Sequence, residues 1–171
     1  IFDNANTQNI GDFAVDWKNN IIIVGTGENN SSRSSYAGIG ILKSVDNGKS
    51  WINIGLNDSH HIGKVKINPK NSDEIIVGVV GHLYSKNSQR GVFKTKDGGK
   101  NWVKTLYIDE DTGIIDLDTN PNDFNIQFAT SWQRERSSWN FKGDGEKSAI
   151  YKSNDAGETW SLISTKQSGF P

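Results

Sequence analysis

A turn motif occurs three times in the chain and limits its possible folds more than any other feature. The copies are SVDNGKSW at residues 44–51, TKDGGKNW at 95–102 and SNDAGETW at 153–160. Each has Ser or Thr first, Asp third, Gly fifth and Trp eighth. The aspartates lie 51 and 58 residues apart (97 − 46 and 155 − 97). Repeats of this period predict a propeller or a solenoid.

Short segments of alternating hydrophobicity flank each copy and predict a β-hairpin around it. They are GILK, GVFK and AIYK before the motif, and WINIGL, WVKTLYI and WSLIS after it. Two further strand candidates precede each copy, for example IGKVKINP with EIIVGVVG. No stretch has a sustained helical period. Each repeat therefore has four strands, A to D, which is the content of a propeller blade.

The sequence thus predicts an all-β fold of three four-stranded antiparallel blades. Blade 1 covers residues 10–56, blade 2 residues 61–108 and blade 3 residues 113–164. Propellers use about four to eight blades, so three are too few to close a ring. We expect further propeller blades or self-association to complete the fold. The first residue, Ile1, and the absence of methionine also suggest a processed product or a piece of a longer polypeptide.

Composition argues against several partners and cofactors. The 19 basic and 20 acidic side chains nearly cancel, so we expect binding to neither nucleic acid nor a membrane. There is no cysteine, hence no disulfide. We predict no cofactor and no metal, because His60 and His61 alternate in direction. The acidic segment at 109–113 also lacks the spacing of a calcium loop.

The motif positions suit structural roles in a tight turn. Asp can accept hydrogen bonds from backbone N–H groups, and the Ser or Thr hydroxyl can join the two ends of the turn. Gly permits a positive φ, and we expect Trp to cover the hairpin. An active site needs one constellation rather than three identical ones, so we predict purely structural roles. The residues are Ser44, Asp46, Gly48, Trp51, Thr95, Asp97, Gly99, Trp102, Ser153, Asp155, Gly157 and Trp160.

The motif resembles the Asp-box, or BNR repeat, of sialidases, some xyloglucanases and sortilin-type ectodomains. Longer segments, among them VGTGE and SWQRERSSWNFKGDG, resemble a bacterial group of exported Asp-box propellers that is often labelled glycosyl hydrolase. The resemblance covers nearly the whole chain. It implies a β-propeller and a secreted, periplasmic or cell-surface location. It identifies no sialidase-type arginine triad, no tyrosine nucleophile and no xyloglucanase acid–base pair in this chain.

The long B–C and D–A connections lie on the face opposite the repeated turns. This loop face contains residues 28–38, 57–61, 82–90, 109–113 and 134–148. Long loops on rigid sheets often carry binding residues, and aromatic rings beside carboxylates and guanidinium groups suit a glycan or peptide. Alternatively, the tryptophans pack between blades, His82 caps a strand and Arg134 pairs with Glu135. The predicted ligand-binding residues are Glu28, His61, His82, Trp132, Arg134 and Trp139.

Three functions stay open at this point. We favour a module that binds a glycan or peptide on the loop face. The alternative is a glycoside hydrolase of sialidase or xyloglucanase type, which needs two carboxyl groups about 5 to 10 Å apart. Glu28 and one acidic residue of the D–A connections would supply them. The acidic candidates are Asp58, Asp109, Glu110 and Asp111. A third possibility is a structural part of a larger secreted protein.

Overall fold

A computed structural model describes residues 2–164, which form three antiparallel four-stranded sheets. The first contains β1 (Ile10–Asp16), β2 (Ile21–Thr26), β3 (Ile41–Ser44) and β4 (Ile52–Asn53). A 3-10 helix (Asn57–Ser59) precedes the second sheet, which contains β5 (Ile62–Asn68), β6 (Asn71–Val79), β7 (Gly91–Thr95) and β8 (Val103–Leu106). None of the helical structure in residues 2–164 is long and apolar enough to cross a membrane.

The third sheet differs from the others by a hairpin inserted in its B–C connection. Its first strands are β9 (Thr112–Asn120) and β10 (Asp123–Gln133). The inserted hairpin is β11 (Glu135–Arg136) and β12 (Phe141–Lys142), and the sheet ends with β13 (Ile150–Ser153) and β14 (Ser161–Leu162). In every sheet, strands that follow one another in that sheet are hydrogen-bonded neighbours. Each sheet is therefore an up-and-down meander, as the repeats predict.

The first strands of the three sheets lie beside one another. A Cβ atom on Gly11 of β1 would lie 1.9 Å from the Ile62 carbonyl oxygen of β5. Likewise, a Cβ atom on Gly63 of β5 would lie 2.5 Å from the Ile115 carbonyl oxygen of β9. Backbones approach this closely only where no side chain intervenes. The glycines therefore bring the inner strands together, and the sheets radiate outward as blades.

Apolar side chains fill the two spaces between adjacent blades. Between blades 1 and 2, Ile23 and Ile41 share a buried cluster with Ile75 and Val77. Between blades 2 and 3, Ile76 and Val92 face a second buried cluster that includes residues of β9 and β10. Alternate residues of β6 therefore face opposite neighbours, as a strand buried on both faces requires.

The tryptophans of the second and third repeated turns join their blades to the preceding ones. Trp102 packs against the first cluster, and its Nε1 donates a 2.7 Å hydrogen bond to the Ile54 carbonyl of blade 1. Trp160 packs against the second cluster and donates to Thr105 Oγ1 of blade 2 at 3.2 Å. The expectation that each indole covers its own hairpin is wrong for these two, because they close the space between blades.

The lysine before each repeated turn reaches in the opposite direction, to the following blade. Lys43 Nζ donates to the Gly98 carbonyl at 3.2 Å, and Lys94 Nζ to the Ala156 carbonyl at 2.7 Å. Gly98 and Ala156 occupy the same motif position in successive copies. Lys152 is the third member of this series, and it lies 5.8 Å from the Phe128 ring.

Hydrogen bonds inside each repeated turn join its hydroxyl, its aspartate and its backbone. In the second copy, Thr95 Oγ1 donates to Asp97 Oδ1 at 2.7 Å and accepts from the Gly99 N–H at 3.1 Å. Asp97 then accepts from the Asn101 backbone and side chain at 3.0 and 2.7 Å. Hydrogen bonds from Ser50 and Ser44 likewise lower the pKa of Asp46 to about 2. All three aspartates are thereby occupied as acceptors within their own turns.

Apolar residues also cover the outer face of blade 1. Phe13 and Trp17 are 61% and 85% exposed. With Ile22, Val24 and Trp51 they help to line a cavity of about 340 Å³. The corresponding faces of blades 2 and 3 are covered by their neighbours, whereas this one borders no sheet in residues 2–164.

Candidate functional site

The long connections of all three blades contact one another on the loop face. The Asn87 N–H donates to the Glu110 carbonyl at 3.1 Å, which joins a B–C connection to a D–A connection. Tyr84 donates its hydroxyl to the Arg33 carbonyl at 2.8 Å. From blade 3, Arg136 Nη2 reaches the Ser31 carbonyl of blade 1 at 2.7 Å. The loop face is therefore one continuous surface rather than three separate sets of loops.

Two buried arginines lie at the centre of the loop face. Arg90 is 2% exposed and Arg134 is 4% exposed. Arg90 donates to the Val80 and His82 carbonyls, both at 2.7 Å, so the end of strand β6 fixes it. Arg134 follows β10, and within residues 2–164 its guanidinium group makes one long hydrogen bond of 3.4 Å, from Nη2 to the Gly81 carbonyl.

Several guanidinium N–H groups at this centre have no acceptor. Within residues 2–164, Nε of Arg90 and both Nε and Nη1 of Arg134 are buried without a hydrogen-bond partner, and so is Nε of Arg136. Burial, with repulsion from Arg90 and Arg136, lowers the pKa of Arg134 to about 10. At neutral pH the side chain is still charged. Buried donors without acceptors are rare in folded proteins and mark places where a ligand or water completes the structure.

A cavity of about 350 Å³ opens beside these arginines. Its charged lining residues are Lys86, Arg90, Asp111, Arg134, Glu135 and Arg136. Four are basic and two are acidic, which leaves a net charge of +2 (4 − 2). Asp111 is already paired with Lys86 at 3.2 Å. The alternative that Arg134 is neutralised by neighbouring Glu135 finds no support, because no salt bridge joins them in the described residues. The cavity is thus suited to an anion.

Aromatic side chains of the inserted hairpin flank the arginines. Trp132 Nε1 donates to the Gly143 carbonyl at 2.7 Å, and its ring meets Phe141 edge to face with centroids 6.1 Å apart. Arg134 lies over the Trp132 ring at 5.5 Å, and Arg136 lies over Phe141 at 4.1 Å. Trp132 therefore packs within its own connection rather than between blades. Trp139, at the tip of the hairpin, is 87% exposed.

His61 is buried next to Arg134, although the sequence suggested that it contacts ligand. The side chain is 2% exposed. Burial, together with the charge of Arg134, lowers its pKa to about 4, and a hydrogen bond to the Glu28 backbone opposes this. Neutral His61 is hydrogen-bonded to the Glu28 backbone and lies near Arg134. Unlike Arg90 and Arg134, it does not line the cavity.

Another set of polar side chains meets at the seam between blades 1 and 2. His82 Nε2 lies 3.2 Å from Asp58 Oδ1, and the His60 and His82 rings stack with centroids 3.6 Å apart. The adjacent His60 and His61 rings meet edge to face, with centroids 6.4 Å apart and ring planes at 79°. The sequence argument considered only that adjacent pair, and so it missed the approach of His82 from the next blade.

Three of the acidic candidates for glycoside hydrolysis interact with other side chains. Asp58 belongs to the histidine seam, and Asp111 pairs with Lys86. Burial alone would raise the pKa of Asp109, but bonds from Lys147 and the Asp111 N–H lower it to about 2. A general acid needs a raised pKa, so Asp109 is unsuited to that role.

The predicted ligand-binding residues thus form two groups. Trp132 and Arg134 lie together beside the cavity, with buried His61 behind them, and Trp139 projects from the hairpin above. His82 belongs to the histidine seam, but its carbonyl accepts from Arg90 and links the two groups. The sequence analysis did not predict Arg90 as a binding residue, although it assigned residues 82–90 to the loop face. The one available signal was that Arg90 lies immediately before strand C of blade 2, where a side chain can point into the protein.

Solved structures with the same fold include large propellers. An ancestral GH74 enzyme gives a TM-score of 0.64 over 91% of this chain, at 19% identity. A GH74 enzyme from Niastella koreensis gives 0.58 over 92%, at 20% identity. YCF48 from Cyanidioschyzon merolae gives 0.53 over 91%, at 18% identity. The chain spans only 18%, 23% and 37% of these three proteins.

These likenesses confirm the fold class predicted from the repeats: the chain is all-β and consists of propeller blades. Identities of this size establish fold alone. No protein-family model matches the sequence, and no curated protein matches it significantly.

Proposed function

We propose that the chain is a ligand-binding part of an exported propeller, and that its loop face binds the carboxylate of a peptide or an acidic glycan. The observation that carries the proposal is the group of buried guanidinium donors without acceptors at Arg90 and Arg134. Leaving a buried donor unpaired costs about 1–3 kcal/mol. A bound carboxylate would remove that cost, because guanidinium groups bind carboxylates through paired, charge-assisted hydrogen bonds.

The surroundings of the cavity indicate what the carboxylate is attached to. Trp132 and Phe141 form a half-buried aromatic wall next to Arg134, and Trp139 stands exposed beside it. Apolar faces of sugar rings and apolar peptide side chains both pack on such surfaces. The net charge of +2 on the cavity also favours approach of an anionic ligand. A carboxylate next to a ring or an apolar side chain therefore fits both features.

The test compares acidic ligands with their neutral counterparts. Glycans ending in uronic or sialic acid, and peptides with free C-terminal carboxylates, are screened beside neutral glycans and amidated peptides. Binding is followed by tryptophan fluorescence and calorimetry. Arg134→Met should weaken binding of the best acidic ligand at least tenfold. The unfolding midpoint should stay the same or rise, since an uncompensated buried charge is removed.

Arg33→Met serves as the matched control, because Arg33 is an exposed arginine of the same face. Its affinity should stay within about twofold of the unmodified chain. Salt should weaken binding, as expected for an ion pair with a ligand. The proposal fails if amidated or neutral ligands bind as tightly as the acids, or if the two arginine variants lose affinity equally.

Glycoside hydrolysis is the second candidate, and the shared fold with GH74 enzymes favours it. One solved GH74 structure is described as a xyloglucanase. If the chain contributes a carboxyl group to such a reaction, Glu28 and Glu110 are the remaining candidates, because Asp58, Asp109 and Asp111 are engaged by other side chains. Release of reducing sugar from xyloglucan, abolished by Glu28→Gln, would support this function over simple binding.

A further inference from the structure

We propose that Asp58, His60 and His82 form a binding site for a transition-metal ion such as Zn²⁺. One ligand atom from each residue lies within 4.8 Å of the other two. His82 Nε2 and Asp58 Oδ1 are 3.2 Å apart. In a tetrahedral zinc site with bonds of about 2.0–2.2 Å, neighbouring ligand atoms are roughly 3.3 Å apart. The seam therefore already has dimensions close to those of such a site.

Two further side chains hold the candidate ligands from behind. His82 Nδ1 contacts Ser85 Oγ at 2.8 Å, and Asn87 Nδ2 donates to Asp58 Oδ2 at 3.0 Å. A hydrogen bond on the remote ring nitrogen fixes the tautomer of a metal-binding histidine, and ligating carboxylates are supported in the same way. In this structure Nε2 faces two acceptors, the Asp58 carbonyl at 3.0 Å and Asp58 Oδ1 at 3.2 Å, and therefore carries the proton. Metal binding moves the ring proton to Nδ1, which then donates to Ser85 Oγ and leaves the Nε2 lone pair for the ion. Asn87 itself is 5% exposed and thus rigidly placed.

Metal binding also requires a local rearrangement of the two rings. The His60 and His82 rings are nearly parallel, at 19°, with centroids 3.6 Å apart. In that stack the in-plane lone pairs do not converge on one point, so the rings must splay by side-chain rotation. The Asp58 side chain is 62% exposed, which leaves room for the ion and for water at a fourth position.

The donor set selects the class of metal. Two imidazole nitrogens and one carboxylate oxygen favour Zn²⁺, Ni²⁺ and Cu²⁺, whereas Mg²⁺ and Ca²⁺ prefer oxygen-only sites. Asp58 and His60 belong to the connection that follows blade 1, and His82 follows strand β6 of blade 2. A bound ion would therefore tie the two blades together at the loop face, and should raise the thermal stability of the chain.

The experiment titrates ZnCl₂ into the full chain, stripped of metal and prepared without a histidine tag, by isothermal calorimetry. We expect one ion per chain, a rise in the unfolding midpoint and no response to Mg²⁺. His60→Ala and His82→Ala should each weaken zinc binding at least tenfold. Glu110→Gln, on the equivalent connection after blade 2, is the matched control and should bind as the unmodified chain does.

Imidazole nitrogen NMR spectra of the unmodified chain keep the test independent of how the variants fold. Zinc should shift the ring nitrogens of His60 and His82 and leave those of buried His61 unchanged. The proposal is overturned if zinc produces no heat and no shift, if it shifts His61 alone, or if His60→Ala and His82→Ala both retain full affinity.

Discussion

The lysine that precedes each repeated turn can be substituted to test how neighbouring blades stabilise one another. The equivalent lysines of the other two turns serve as controls. Lys94 is 3% exposed, and its Nζ lies 2.7 Å from Glu74 Oε1, Glu158 Oε1 and the Ala156 carbonyl. Lys94→Met keeps the volume of the side chain and removes its charge. Glu158 retains Lys96 at 2.8 Å, but Glu74 loses the cation it faces.

The magnitude follows from the burial of the partners that remain. Removing one member of a buried ion pair costs about 3–5 kcal/mol. The Glu74 side chain is 14% exposed, so we expect a loss near the lower end, about 3 kcal/mol in the free energy of unfolding. Lys43→Met removes only a 3.2 Å bond to the Gly98 carbonyl, which we expect to cost about 1 kcal/mol. Lys152→Met should cost less than about 0.5 kcal/mol, since its contact is a ring at 5.8 Å.

Urea unfolding followed by tryptophan fluorescence measures all three variants on one scale. The expected order of destabilisation is Lys94, then Lys43, then Lys152. The double variant Lys94→Met with Glu74→Leu should recover most of the loss, because no buried charge is then left alone. Equal costs at the three positions would refute the reasoning, since they would mean that each lysine acts within its own blade.

Three further outcomes can be measured on the same material. Thr95→Val should lower the free energy of unfolding by about 1–3 kcal/mol, because the buried Gly99 N–H loses its acceptor; a loss confined to ligand binding would contradict the structural role of the turn. The pKa of His61 is about 4 in the folded chain, against 6.5 when unfolded. Its contribution to the free energy of unfolding is therefore fully present above pH 6.5 and is lost as the pH falls toward 4. We expect the free energy of unfolding to decrease by up to about 3 kcal/mol over that range, and His61→Gln should reduce this pH dependence. If the variant keeps the same pH profile, His61 is not its cause. Light scattering should show self-association through the apolar outer face of blade 1, which Phe13→Ser with Trp17→Ser should reduce; a stable monomer of 18.9 kDa would contradict this.

Local periodicity explains why the sequence predicted so much of the fold. The alternation around each repeated turn places β3, β7 and β13 before it, and the Asp and Thr side chains bond inside the same turn. Such contacts involve residues close in sequence. The directions of Trp102 and Lys94 could not be predicted, because their partners lie 48 and 62 residues away on another blade.

The candidate site was predictable only in part for the same reason. The topology put Arg134 and Trp132 on the loop face, and the structure places them beside the cavity there. Arg90 and the partnership of His60 with His82 depend on how neighbouring blades stack. The glycines of the inner strands, Gly11, Gly63 and Gly113, recur in every repeat, but that recurrence does not tell which side chains of neighbouring blades meet.

The opposite reach of the lysine and tryptophan gives every joint between blades a polarity. The earlier blade contributes an ammonium group that points forward, and the later blade an indole that points back. The two ends of the three-blade unit therefore differ. One end presents the ammonium group of Lys152, and the other presents the cavity around Trp17. Two copies that met through the same surface would leave the cations without carbonyl acceptors. An end-to-end contact between copies that repeated the joints between blades would therefore be heterologous, with Lys152 of one copy at the cavity around Trp17 of the next.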